Sequence, residues 1–386
     1  MKKKTTAFGI LLAISTLVSC DRDEKSDERE NTRALCGDGL DNDGDGAIDC
    51  DDEDCRTRES CATRERAPDV SGLPIPDADE VEQPTGAPDN LEVLDWAGFN
   101  AALSYTFDDS HDSHLEHYAA LHEMGIRATF FVNNATVTDT DAWKKVAEDG
   151  HELGNHTAHH CHNNLVKCAF GDALESQDAE IETCSEMITE VLDQPGVWSM
   201  AAPYGEQLWN SYAEDYVLLN RTVTSGLIAP NDGRDPLSLP AVMPPGRATS
   251  ESLIEEIDLA DEASAWLIFC FHAILPTVGN PGNGVDIDAI TQSIGHAQDA
   301  DDIWVDSMIN IGAYWLGQSI LDGTTPKRDG DNTIWTWELP DHFPSGKYLR
   351  IVVDGGVLSQ NGLEIPWSPH GYYEISLDEG ELTLML

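Results

Sequence analysis

Between Leu91 and about Gly323, apolar runs of strand length alternate with stretches whose apolar residues recur at helical spacing, and nothing else in the chain constrains its fold as strongly. Ala102–Phe107, Ala128–Val132, Val197–Ala202 and Trp266–Phe271 read as strands. His111–Met124, Asp141–Asp149, Asp172–Leu192 and Ser250–Asp261 read as helices, and Ile303–Met308 with a helix from about Asn310 to Leu321 completes the series. This alternation predicts an α/β architecture, a parallel sheet or barrel that works at the carboxyl ends of its strands. After the turn-rich Asp322–Asn332 the pattern changes. Ile334–Leu339, Tyr348–Val353, Tyr372–Leu377 and Leu382–Leu386 are short alternating runs separated by Pro, Gly and Asn, which predicts a small antiparallel β module over 327–386.

The amino-terminal ninety residues are of another kind. Lys2, Lys3 and Lys4 precede an apolar run from Ala7 to Val18, too short for a permanent membrane span, which is the pattern of a secretory signal over 1–20. The run Leu17-Val18-Ser19-Cys20 resembles a bacterial lipoprotein box, with Cys20 as the lipidated residue; an ordinary signal peptide is the alternative. The expected location is therefore exported and lipid-anchored at a bacterial cell envelope, with membrane contact through the anchor alone. Residues 21–90 are acidic and polar and read as a solvated stalk. Within 36–61, Asp41, Asp43, Asp45, Asp49 and Asp52 surround the turn residue Gly46, a candidate oxygen-ligand set for Ca²⁺. The stretch resembles thrombospondin type 3 and aspartate-rich bacterial surface repeats. An acidic, disulfide-pinned linker is the other reading.

The 386 residues hold 22 Lys+Arg against 71 Asp+Glu, a net charge of −49, which argues against nucleic acid or other polyphosphates as partners. Without Cys20 eight cysteines remain, an even number that suits disulfides in an oxidising compartment. Cys161 is expected to pair with Cys168 or Cys184, and Cys270, in an apolar run, to stay free in the core.

Chemistry concentrates in four short blocks. Tyr105-Thr-Phe-Asp108-Asp109-Ser110 ends a strand with two carboxylates, which a turn at the strand end can deliver to one pocket. His156-Thr-Ala-His159-His160 places two imidazoles four apart, one face of a helical turn, where they can share a divalent metal; His159 points elsewhere. Ala201-Ala-Pro-Tyr204-Gly205 and Cys270-Phe-His272 follow.

In order and spacing these blocks resemble the signatures of the polysaccharide deacetylases, carbohydrate esterases on a distorted (β/α) barrel. The resemblance covers roughly Leu91–Gly323 and includes the flanking GIRATFFVNN and GHELGNHTAHH. It implies that Asp109, His156 and His160 hold one divalent transition metal, Zn or else Co, Mn or Fe. It further implies Asp108 as general base, His272 as general acid and the backbone N–H of Tyr204 as oxyanion donor. The implied reaction is removal of O- or N-acetyl groups from a polysaccharide or oligosaccharide of xylan, chitin or peptidoglycan type. Three departures stand out. The third block usually opens with an Arg that pairs with the base, and here that residue is Ala201; Arg221, Arg234 and Arg247 are the candidates to replace it. The Leu two residues before the acid is Cys270. The acid-plus-Trp fourth block has only Asp235 as a candidate. Ala201 and the β tail keep a second reading open, an impaired deacetylase-like protein that binds glycans at the surface. Trp209, Trp304, Trp315, Trp335, Trp337, Trp367 and Tyr372 are either core or lining of a glycan groove.

Overall fold

The computed structural model describes residues 69–279 and 281–385, so the signal, Cys20, the Asp41–Asp52 set and the first four stalk cysteines lie outside the described residues. The described residues form one compact unit.

The barrel elements run in chain order. They begin with β1 (Glu92–Val93), β2 (Ala101–Asp108), α1 (Asp112–Glu116), α2 (Tyr118–Glu123), β3 (Thr129–Val132) and α3 (Thr140–Glu148). Next come β4 (Glu152–Asn155), α4 (Gln177–Glu186), β5 (Ser199–Ala201), α5 (Asn210–Ala213), β6 (Leu219–Arg221), α6 (Ser250–Glu262) and β7 (Trp266–Phe271). A small parallel pair, β8 (Ile274–Leu275) and β9 (Val285–Asp286), precedes α7 (Ile287–Asp299), β10 (Ile303–Val305) and α8 (Met308–Asp322).

Strand β2 is the centre of the sheet. It pairs with β7 along most of its length, while β10 and β3 share its other edge. From β3 the parallel order continues through β4 and β5 to β6. No regular strand links β6 back to β7. Instead Leu239 bridges to Arg221 and Val242 to Phe269, so irregular chain closes the ring and the barrel is distorted.

Strand alternation separates the two faces. Leu103, Tyr105, Phe107, Phe130, Leu153, Phe269 and Phe271 pack outward in one cluster beneath the helices. Trp266, Ile268, Cys270, Phe131, Ala201 and Leu219 belong to a second cluster that fills the interior. At the amino ends of the strands the buried Glu152 accepts hydrogen bonds from Thr129, Ser199 and the Ile309 N–H, so a carboxylate inside the barrel caps α8 across its floor.

The tail comprises β11 (Lys327–Asp329), β12 (Asn332–Thr336), β13 (Tyr348–Val352), β14 (Val357–Gln360), β15 (Leu363–Glu364), β16 (Trp367–Ser368), β17 (Tyr372–Ser376) and β18 (Glu381–Met385). They form two antiparallel sheets, β1-β13-β17-β16 and β11-β12-β18-β14-β15. Its apolar residues share one cluster with the barrel: Leu349, Ile351 and Leu377 join Ile311, Tyr314 and Trp315 of α8. Gly317 marks the contact, since a Cβ there would lie 2.5 Å from Leu377 Cδ1.

The expected stalk ends earlier than residue 90. From Asp69 onward the chain is laid along the tail. Ser71 bonds Glu374, Arg350 donates to the carbonyls of Leu73 and Pro74, and Trp367 donates to Val81. Hydrogen bonds hold much of this stretch and Leu73 packs against the core, so its mostly polar composition resembles a solvated linker. Among the described residues no helix is long and apolar enough to cross a membrane.

Candidate active site

Alternation along β2 makes Asp108 the last residue facing the barrel interior, and it is 3% exposed. The strand stops there because Asp109 and Ser110 take positive φ angles of 74° and 44°. That turn brings two neighbouring carboxylates to one pocket, at a backbone cost of order 1–3 kcal/mol per residue. Ser110 Oγ accepts the Asn133 N–H at 2.9 Å and ties the turn to the end of β3.

His156 and His160 follow β4 in irregular chain, not on the helical turn that their spacing suggests. Thr157 and His160 have φ of 62° and 50°, and this kinked path brings the two rings to 4.6 Å between centroids. Asn133 Nδ2 donates to the carbonyls of His156 and Thr157, and buried Glu180 of α4 accepts from the His159 N–H and its Nδ1. His159 is thereby turned away from the pocket, as expected.

The three remaining groups form a donor set. Asp109 Oδ1 lies 3.5 Å from His156 Nε2 and 3.6 Å from His160 Nε2. Two donors held about 2.1 Å from one tetrahedral ion are about 3.4 Å apart, so the spacing fits a shared cation. Asp109 Oδ1 and His156 Nε2 are also buried without a hydrogen-bond partner. Burial drives the His156 pKa down to about 3, which keeps the ring neutral. Its Nδ1–H donates to the Ala201 carbonyl at 2.7 Å, leaving the Nε2 lone pair toward Asp109. Burial first, and then the Asp108 charge, raise the Asp109 carboxyl to about 6, an environment that calls for a cation.

Arg221 answers the question that Ala201 poses. It ends β6, directly beside Ala201 in the sheet register, and its guanidinium is fully buried against Asp108 Oδ1. Its Nε donates to Thr106 Oγ1 at 3.2 Å, and its plane lies over the Phe131 ring. Burial would push the Asp108 carboxyl up, but Arg221, His156 and His272 outweigh it and hold the group well below the usual carboxylate range. Asp108 is thus held in its ionised form. Of the other arginines, Arg234 pairs with Asp232.

On the opposite side of Asp108, His272 sits just beyond β7. The ligating atoms of Asp108, Cys270 and His272 lie within 4.8 Å of one another. The Cys270 Sγ donates toward Asp108 Oδ2 at 3.5 Å, and burial pushes this thiol up so that it stays neutral. Cys270 is free, as expected, and so is Cys184; Cys161 pairs with Cys168.

Tyr204 follows Pro203 at φ 58°, and among the described residues its backbone N–H has no acceptor. Its ring packs edge-on to His160 at 4.5 Å and flat against His162 at 3.9 Å. Glu206 fixes that stack, accepting from His162 Nδ1 and the Asn163 N–H, both at 2.7 Å.

Other candidates stay apart. Asp235 caps its own turn, accepting the Leu237 N–H at 2.9 Å. Trp209, Trp304, Trp315, Trp335, Trp337 and Tyr372 are buried and belong to the core, while half-buried Trp367 packs against it and donates to Val81.

Residues 100–219 match the family model for polysaccharide deacetylases, and the resemblance read from the blocks holds for that segment. It includes Asp108, Asp109, His156, His160 and Tyr204 and stops short of Arg221 and His272. A gellan lyase from a Bacillus species is 27% identical over 145 residues, 37% of this chain; the chain spans only 6% of that relative's length. Three solved structures are similar to part of this chain. A family 4 acetyl xylan esterase from Clostridium thermocellum in complex with a cobalt ion has 18% identity and a TM-score of 0.37, covering 56% of this chain and 91% of the other. A family 4 carbohydrate esterase from Streptomyces lividans in complex with acetate has 17% identity and a TM-score of 0.36 over 54% and 92%. A CE4 family pseudoenzyme from Bacillus anthracis has 16% identity and a TM-score of 0.39 over 55% and 65%.

Proposed function

We propose that the chain is a metal-dependent carbohydrate deacetylase that releases acetate from an O- or N-acetylated polysaccharide at the bacterial cell envelope, held there through Cys20. One observation carries this reading: the buried, unpaired donors of Asp109 and His156, with His160 beside them, flanked by a carboxylate base and an imidazole. Asp109, His156 and His160 would hold a divalent cation, which when bound would supply Lewis acidity and make water more acidic, to a pKa of about 7. Asp108, kept ionised by Arg221, removes the proton from the attacking water. The free Tyr204 N–H donates to the substrate carbonyl oxygen as charge develops on it. His272 protonates the departing sugar oxygen or nitrogen. The impaired-protein reading rested on Ala201 and the tail, and Arg221 and the buried tail aromatics now weaken both supports.

The test is acetate release from acetylated xylan, chitin oligomers and peptidoglycan, with chelator and after return of Zn²⁺ or Co²⁺. We expect release that chelator abolishes and metal restores. Asp109→Ala should lose bound metal by elemental analysis, and Asp108→Asn should keep it while losing at least about 10²-fold in rate. Glycan binding without acetate release from any substrate would overturn the proposal.

A further inference from the structure

The acid-bearing turn after β7 pairs with β9 through Ile274 and Leu275 and is bound on its other side by α1 and the residue that follows it. Ser113 Oγ of α1 accepts the Ile274 N–H at 2.9 Å, and His117 Nε2 donates to the Pro276 carbonyl at 2.8 Å. Glu116 accepts the Thr277 hydroxyl at 2.7 Å. The innermost link goes to His272 itself: His114 Nε2 donates to the His272 carbonyl at 2.6 Å. Among the described residues, no side chain hydrogen-bonds the His272 imidazole, so its direction depends on where its backbone is held.

His114 is costly where it stands. It is 0% exposed and packs against the rings of Phe107, Phe130 and Trp143. Burial drives its pKa down to about 3, and its Nδ1 has no hydrogen-bond partner. A leucine or phenylalanine would fill such a pocket without stranding a polar atom. What the imidazole adds is one N–H at the His272 carbonyl.

We propose that His114 is a positioning residue for the general acid, holding the His272 backbone so that its imidazole faces the departing sugar atom. The proposal rests on the deacetylase reading and on His272 as the acid. Its mark is dependence on the leaving group. An acetylated sugar needs a proton on its departing oxygen, whereas 4-nitrophenolate leaves without one. A defect in aiming the acid therefore shows on the first substrate and spares the second.

The experiment measures kcat and KM of the metal-loaded wild type, His114→Phe, His114→Gln, His114→Asn and His272→Ala on an acetylated sugar and on 4-nitrophenyl acetate. We expect His114→Phe and His114→Asn to lower kcat on the sugar by about 10- to 100-fold with KM nearly unchanged. The loss on the aryl ester should stay within about threefold, the same pattern as His272→Ala. His114→Gln, whose amide nitrogen reaches the Nε2 position, should recover most of the sugar activity, which His114→Asn cannot. This amide pair keeps the test decisive if His114→Phe fails to fold. Equal losses on both substrates, or an unimpaired His114→Asn, would overturn the proposal while leaving the deacetylase reading intact. A fully active His272→Ala would overturn His272 as the acid and this inference with it, and a wild type that hydrolyses neither substrate would overturn the deacetylase reading as well.

Discussion

Asp108 and Arg221 illustrate what single residues contribute here. The pair is fully buried, so removing one partner strands the other; Arg221→Ala should cost about 3–5 kcal/mol of stability, read by chemical denaturation. Without the guanidinium the Asp108 carboxyl rises, so the acid limb of kcat/KM should move to higher pH. Because Ala201 and Arg221 are register partners, Arg221→Ala with Ala201→Arg should regain part of the rate that Arg221→Ala loses. Buried histidine sets a second expectation, with its sign fixed by linkage. His114 has a folded pKa near 3 against 6.5 unfolded, so between those values the unfolded chain binds a proton that the native chain refuses. Stability should fall with acid across that window by about 1.4 kcal/mol per pH unit from this group. Asp109, raised to about 6, works in the opposite direction below that pH. Thermal unfolding in chelator, wild type against His114→Gln, should show a shallower acid slope in the variant. The four blocks, through the family they resemble, single out Asp108, Asp109, His156, His160 and His272, whereas spacing by itself points only to the His156/His160 pair. Arg221 is legible only as one of three arginines, since strand register decides which can reach. His114 carries no signal, because its role is a hydrogen bond to a backbone atom 158 positions away.

Among the elements, long apolar strands such as β7 announce themselves, while β6, three residues of Leu-Asn-Arg, has too little pattern to read. Helix α7 is equally silent: it follows a Gly- and Pro-rich turn and carries Gly295 among its buried Ile290, Ile294 and Ala297. The His156–His160 spacing invites a helical turn, and positive φ at Thr157 and His160 overrides it. Immediately after this segment, Cys161–Cys168 closes a short loop that includes His162. Cutting that clip by Cys168→Ser should cost about 2–3 kcal/mol from loop-closure entropy. It should also free His162 from Tyr204 and Glu206, so a rise in KM should accompany the drop in melting temperature.

At the scale of the whole molecule, the change of pattern after Gly323 suggests a separable module, yet barrel and tail share one hydrophobic cluster. A chain ending at Gly323 should therefore expose the apolar face of α8 and lose cooperative unfolding, with aggregation detected by light scattering. The same view bears on how motif gaps in such barrels are judged. A fixed alignment column records an arginine as missing at Ala201, but the sheet hands the positive charge across from the neighbouring strand. Charge balance around Asp108 is a property of the closed ring, and a catalogue of letters taken one position at a time will miss it.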